Sequence, residues 1–408
     1  MPLSLLRTWK RAVPAPDGAI QIREVRSGED RKRFIELPWR IYAQDRQWVP
    51  PLIADVKAMI DSQRHPFYAH GAATQFIAVR SETTVGRILV SDDPNYNQQH
   101  GTNLGCFGMF ESVDAPEVAA RLLDAAARWL QDRGRTSIMG PIDYSTNYPC
   151  GLLVDGFDTP PRIMMNHNPP YYSGLLEAWG LRKTKDLYCW WFVDPNDMLA
   201  RWSRLAERLA HRGKVTVRCL RKKDFDEEVA RCESVYNGSR RNNWGFVRLT
   251  DAEFRYLAKR IAQVAIPEQV LLAECEGRPV GFCITLPDLN EAIRPLNGRL
   301  TTFGLPIGLA RLMYRARHVK TARMMVLDVL ESHRRRGIAE LLILRTLEYG
   351  KNVIGYTGAE LGWTLEDNRL INRTIEAVGG RRYKTYRIYS KDLVGEQPSV
   401  ECPGLSSG

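Results

Sequence analysis

The stretch Met324–Gly350, MMVLDVLESHRRRGIAELLILRTLEYG, constrains the fold more tightly than any other part of the chain. A short apolar run of β-like composition, Met324–Leu330, passes through a polar turn, Glu331–Arg336, into a helical pattern that begins near Gly337 and ends at Gly350. Strand, tight turn and helix in that order place free helix N–H groups at the end of a strand. Three arginines, Arg334, Arg335 and Arg336, precede Gly337. The missing side chain of Gly337 lets a bulky anion reach the first helical turn, which contains Ile338 and Ala339. The stretch therefore reads as a phosphate cradle. It has neither the Lys-Ser/Thr of a nucleotide-hydrolysing loop nor a triple-glycine dinucleotide pattern, so nucleotide hydrolysis and hydride transfer are not its natural uses.

A chain of 408 residues exceeds one ordinary core, and the excess of 58 basic over 47 acidic residues calls for an anionic partner. Charge alone does not choose among a nucleotide-like cofactor, a membrane surface and a nucleic acid. The eight cysteines show no paired spacing and no Cys/His cluster, so a reducing, cytoplasmic setting without a structural metal is expected. Residues 1–18 lack an apolar core long enough for a signal peptide, and no later run approaches a membrane span. Leu3, Leu5, Leu6 and Trp9 beside Arg7, Lys10 and Arg11 suit either a frayed tail or a membrane face.

Read in order, each half runs strand, helices, strands, helix. In the first half, a strand at Gln21–Val25 precedes short helices between Glu29 and Gln63 that Pro38, Pro50 and Pro51 should break. Strands at Gln75–Arg80, Thr84–Ser91 and Gly105–Phe110 follow, then a helix at Glu117–Arg133. Asp114 is placed to cap that helix and Pro116 to open it, so its N-terminus should be engaged and acidic where the second half has its cradle. Residues 138–172 form a long ordered loop dense in Gly, Pro, Asn and aromatic residues, suited either to substrate contact or to satisfying its own backbone. The expected organisation is a flexible segment 1–18, a domain 19–195, a linking helix 196–213, a second domain 214–392 and a disordered tail 393–408.

In the second half, Asn242, Asn243, Trp244 and Phe246 make a polar-aromatic loop that either plugs the core or meets substrate. An insertion, Pro287–Thr321, mixes apolar residues with arginines, and Ala292–Leu327 holds no acidic residue. Such a segment suits an anionic lipid surface, the wall of an acyl channel, or a helix whose arginines cover the domain interface. No nucleic-acid module is recognisable, and no nucleic acid is expected as a partner.

The turn Arg334-x-x-Gly337-x-Ala339 after a strand, together with Glu366-Asp-Asn368, its helix and Gly379, resembles the GNAT N-acyltransferase superfamily. Gly140-Pro141, Gly151–Phe157, Asn242–Phe246 and Glu360–Asn368 are similar to a bacterial tandem-GNAT group that includes proposed ceramide synthases. The resemblance implies an α/β fold of two tandem GNAT-like domains, each a mixed, mostly antiparallel twisted sheet flanked by helices. It also implies acyl-coenzyme A as co-substrate and transfer of an acyl group to an amine, with a sphingoid or other lipid amine as one acceptor. Leu327 and Val329 would pair with the cofactor's pantetheine, with Ala359–Trp363 across a splay, and Asn368 would lie near the cofactor. The position where these enzymes often carry a tyrosine that protonates the leaving thiolate is Ile375, so that role is either vacant or filled elsewhere, with Tyr383 as the candidate. Attack by an amine needs a carboxylate near the splay, and Asp328 and Glu360 are the candidates. The alternatives are a non-catalytic acyl-coenzyme A sensor and a transferase using aminoacyl-tRNA. A cytoplasmic protein touching the inner face of the membrane fits the lipid reading.

Overall fold

The computed structural model describes residues 18–194, 214–240 and 243–393, with scattered positions between 199 and 211. The flexible segment, the linking helix and the tail expected above fall largely outside these residues, as does Asn242. The first half comprises β1 (Ile20–Glu24), α1 (Gly28–Ile41), α2 (Ile53–Met59), β2 (Ala72–Arg80), β3 (Thr83–Asp92), α3 (Pro94–His100), β4 (Leu104–Ser112), α4 (Pro116–Gln131), β5 (Ser137–Gly140), β6 (Leu152–Asp155), α5 (Tyr172–Ala178) and β7 (Arg182–Phe192). The second comprises β8 (Val215–Cys219), α6 (Phe225–Ser239), α7 (Asp251–Ala262), β9 (Val270–Cys275), β10 (Arg278–Pro287), α8 (Asn290–Ile293), α9 (Ile307–Ala316), β11 (Thr321–Val329), α10 (Ile338–Tyr349), β12 (Gly358–Leu365), α11 (Arg369–Ala377) and β13 (Arg381–Asp392).

The strands form one 13-stranded sheet in the order β1-β2-β3-β4-β5-β13-β7-β12-β11-β10-β9-β8, with β6 against β13. Among the described residues only β4–β5 and β11–β12 are parallel pairs, so the sheet is mixed and mostly antiparallel. The sheet does not divide at residues 196–213. The last strand of each half crosses into the other: β7 pairs with β12, Phe192 opposite Ala359, and β13 pairs with β5, Tyr389 opposite Gly140. Arg387 on β13 grips Asp186 on β7 at 2.8 and 3.1 Å, fixing the register of the exchanged pair.

Three local expectations need correcting. Pro38 does not break α1, which continues to Ile41. A proline inside a helix leaves the carbonyl four residues back without its donor. Here that carbonyl, on Phe34, accepts from buried Arg87 Nη1 at 2.8 Å, which replaces the lost hydrogen bond. Asp114 does not cap α4: Ala115 holds the N-cap position and no side chain caps it. The 138–172 stretch is also less irregular than its composition suggests, since β5 and β6 lie within or at its edge.

Helix α10 packs against the second-half core through Ile338, Leu341, Leu342, Ile343, Leu344 and Leu347, all buried. At about 1.5–3 kcal/mol for each fully buried aliphatic side chain, this face anchors the helix firmly enough to hold its N-terminus in place.

Candidate active site

Strands β11 and β12 pair for four residues, from Thr321 opposite Gly358 to Met324 opposite Leu361, and then separate. The resulting cleft, of about 110 Å³, lies between Leu327 and Asp328 on one wall and Leu361–Leu365 on the other. The splay opens later than expected. Ala359, Glu360 and Leu361 are still paired with β11, so the facing wall begins at Leu361, the last paired residue, and continues through Gly362. Asn243, Trp244 and Phe246 line the cleft, and so does Thr146 from the first half. The polar-aromatic loop therefore meets the cleft. Thr146 Oγ1 donates to Gly245 O at 2.6 Å and Asn147 Nδ2 to Val247 O at 2.9 Å, so the long loop of the first half holds that of the second.

The cradle stands at the C-terminal end of β11. A single turn, Glu331–His333, leads to Arg335 at φ 65° and Gly337 at φ 77°, both left-handed. Gly337 is the N-cap residue of α10, and no side chain caps the helix. Its first amides are therefore open to an anion. The three arginines differ in role. Arg334 turns back, donating from Nη2 to Ser239 O at 2.6 Å, and braces the turn on α6. Arg335 and Arg336 are exposed and make no ion pair among the described residues. Ile338 is buried beneath the turn, and Ala339 and Val329 pack beside it in the same core.

The first half has the same parallel pair but a closed gap. After Cys106 opposite Met139 the β4–β5 pairing ends. Ile142 N then donates to Phe107 O at 2.6 Å, and Asp143 Oδ1 accepts from Met109 N at 2.9 Å. A side chain on Gly108 would lie 2.2 Å from that same oxygen, so loop and strand are in contact. At the corresponding helix, α4, Glu117 pairs with Arg80 at 3.1 Å and lies in the first turn. The chain fills its own first cleft and leaves the second open.

Asp328 is buried at the cleft wall. Arg240 Nε reaches its two oxygens at 2.9 and 3.0 Å, and Ser239 Oγ donates to Oδ1 at 2.9 Å. Neither partner stood out in the sequence; α6 ends there and the end of the helix presents both. Glu360 is fully buried, with Oε1 2.8 Å from Arg323 Nε in a close ion pair that is not aligned as a hydrogen bond. Tyr383 donates its hydroxyl to Glu360 Oε2. Burial first, and then the Glu360 carboxylate, push the Tyr383 phenol far above its usual pKa. Fully buried Glu360 and half-buried Tyr383 form a pair that does not line the cleft, whereas Asp328 does. Asn368 lines the cleft too, and its Oδ1 accepts from Ile371 N as the cap of α11. Ile375, where a phenol was looked for, lies at the cleft wall.

The sequence model of the acetyltransferase (GNAT) family matches residues 235–374, which span this cleft. The chain is also 35% identical over 383 residues to the bacterial ceramide synthase of Caulobacter vibrioides, across 92% of this chain and 98% of that one. The chain belongs to the GNAT acetyltransferase family. It is 32% identical over 379 residues to Protein YghO of Escherichia coli, across 91% of this chain and 95% of that one. A tandem GNAT protein from the clavulanic acid biosynthesis pathway shares the fold, with a TM-score of 0.56 at 13% identity over 92% of this chain and 99% of that one. GNAT proteins are N-acyltransferases that use acetyl- or acyl-coenzyme A as co-substrate, and this chain is an N-acyltransferase of that family. Among the described residues no cluster of side chains is set to hold a metal, and no helix is long and apolar enough to cross a membrane.

Proposed function

We propose that the chain transfers an acyl group from acyl-coenzyme A to the amine of a lipid, of the sphingoid kind that the name of the Caulobacter relative indicates. The observation that carries the donor is the conjunction of an uncapped helix N-terminus with an adjacent unpaired strand edge. The open amides of α10, with Arg335 and Arg336 beside them, suit a pyrophosphate. The edge of Met325–Val329 that faces β12 lost its partner at Met324, so it offers backbone groups to an extended pantetheine arm and a donor for the thioester oxygen. Acyl-coenzyme A supplies an activated thioester carbonyl when bound.

The chain's own groups then have limited but definite work. Asp328 is held in one orientation by Arg240 and Ser239, with lone-pair capacity left on Oδ2. It accepts the proton of the incoming amine directly or through one water. Trp244, Phe246 and Trp363 make the acceptor side apolar and exclude bulk water. Glu360, Arg323 and Tyr383 stiffen the sheet beneath the opening. Ile375 offers no proton to the departing thiolate, which favours a second reading, a sensor that binds acyl-coenzyme A without turnover.

Donor binding tests the proposal first. Gly337→Glu sets a carboxylate against the cradle and should weaken coenzyme A binding roughly a hundredfold, about 2.8 kcal/mol, as measured by isothermal titration calorimetry. Unchanged affinity in a folded variant would place the donor elsewhere.

A further inference from the structure

The insertion between β10 and β11 carries an exposed surface that the cleft does not use. Among the described residues, more than half of the large hydrophobic side chains exposed to solvent fall between 303 and 314. Phe303 is 98% exposed, Tyr314 68%, Met313 60% and Leu305 59%. Phe303 sits at the tip of a turn closed by reciprocal amide-to-carbonyl bonds between Thr302 and Leu305, at 2.9 and 3.0 Å, with Gly304 at φ 77°. A turn closed in this way holds the ring out in solvent, where it forgoes the gain of burial.

Cations accompany this apolar tip along the segment. Arg299, Arg311, Arg315 and Arg317 are exposed and make no ion pair among the described residues, and Lys320 follows them. No Asp or Glu occurs from Ala292 to Leu327. Between α9 and the body runs an open groove of about 870 Å³, with Leu296, Ile307, Ala310 and Tyr314 along it and Arg311 and Arg315 at its edge. Its carboxylate, Glu291, is already engaged by the Lys320 amide at 2.9 Å and by the Thr321 hydroxyl.

The inner side of the insertion is fixed. Trp39 Nε1 donates to Asn297 Oδ1 at 2.7 Å, Ile53 N to Gly298 O at 3.0 Å, and Arg162 pairs with Asp288 at 3.0 Å. The arginines of α9 therefore do not cover the interface between the halves; those contacts are made by other residues, and the cationic side is left outward.

We infer that residues 299–320 dock the protein onto an anionic lipid bilayer. Phe303, Leu305 and Met313 enter the boundary between headgroups and acyl chains, and Arg311, Arg315 and Arg317 meet lipid phosphates. An apolar tip on a segment of cations without ion pairs, whose neighbouring carboxylate Glu291 is already engaged, matches a surface that is negative at its plane and apolar beneath it. A second copy of the chain would bring the same positive charge to the contact and be repelled. The segment runs directly into β11, so docking holds the cleft beside the bilayer. The inference does not depend on the acyl-transfer proposal.

The test is sedimentation of the purified full-length protein with vesicles of phosphatidylcholine alone or mixed with phosphatidylglycerol. The wild type should bind the anionic vesicles, less so as salt is raised, and should bind the neutral ones weakly. Phe303→Asp with Leu305→Asp, and separately Arg311→Glu with Arg315→Glu, should each lower the partition coefficient at least about tenfold while circular dichroism stays unchanged. Because all four side chains are exposed, these variants should fold. Failure of the wild type to bind anionic vesicles, binding by both variants equal to wild type, or a dimer in analytical ultracentrifugation that the Phe303 variant abolishes would each overturn the inference.

Discussion

Lys384 ends in the interior, fully buried, and donates from Nζ to the carbonyls of Gly156 and Thr159. Loss of water there lowers its pKa from 10.5 to about 8. A folded-state pKa below the unfolded one means that the unfolded chain binds more protons between those values. The lysine's contribution is thus fully present above 10.5 and is lost as pH falls toward 8. Denaturation of wild type and Lys384→Met across this range should show the wild type gaining up to roughly 3 kcal/mol relative to the variant as pH rises. A pH-independent difference between the two would mean that the ammonium is not desolvated. At this scale the sequence drew attention to Gly337, the arginines and Asp328, because each is locally anomalous: a glycine after three cations, or a carboxylate in an apolar strand. It did not disclose Arg240, Ser239 or Arg323, whose partners lie far away in sequence. The resemblance set Ala359–Trp363, and Glu360 with it, across the splay, but a resemblance does not say at which residue a parallel pair comes apart, and Glu360 is still paired with Arg323.

Helix α1 shows how a neighbouring element overrides a local rule. Arg87 on β3 donates to Phe34 O, the carbonyl freed by Pro38, and pairs with buried Glu111 at 3.4 Å. Arg87→Met should therefore leave both an unpaired carbonyl and an unpaired buried carboxylate, costing about 3–5 kcal/mol in urea unfolding. A loss below about 1 kcal/mol would show that Tyr42 and Tyr172, which also donate to Glu111, suffice. Element order was readable where the signal is strong, since periodicity marks α4 and an apolar run, turn and helical pattern mark β11–α10. Helix α3 went unread although Asp93 accepts from the amides of Asn95 and Tyr96 and Pro94 opens it, because seven residues give too little periodicity to register. Asp114 was read as a cap because its type fits; the chain turns one residue later, at Ala115.

The strand exchange belongs to the whole molecule. Two strands at the ends of the halves pair across 200 residues of sequence, Tyr389 with Lys183 for instance, and nothing in either strand's pattern names its partner. The expected boundary near 195 therefore separates the chain without separating the sheet. Calorimetry should give one cooperative unfolding transition, because removing β13 takes the partner from β5, β6 and β7 together. Two independent transitions would show that the halves are stable units despite the exchange. The proposed work of the assembled molecule can be read directly with purified protein, sphinganine and a series of acyl-coenzyme A donors from acetyl to palmitoyl. We expect time-dependent release of free coenzyme A with formation of the amide, lowered about 10²–10⁴-fold in kcat by Asp328→Asn without loss of donor binding. Donor binding with no amide formed from any lipid amine, or full turnover in Asp328→Asn, would contradict it.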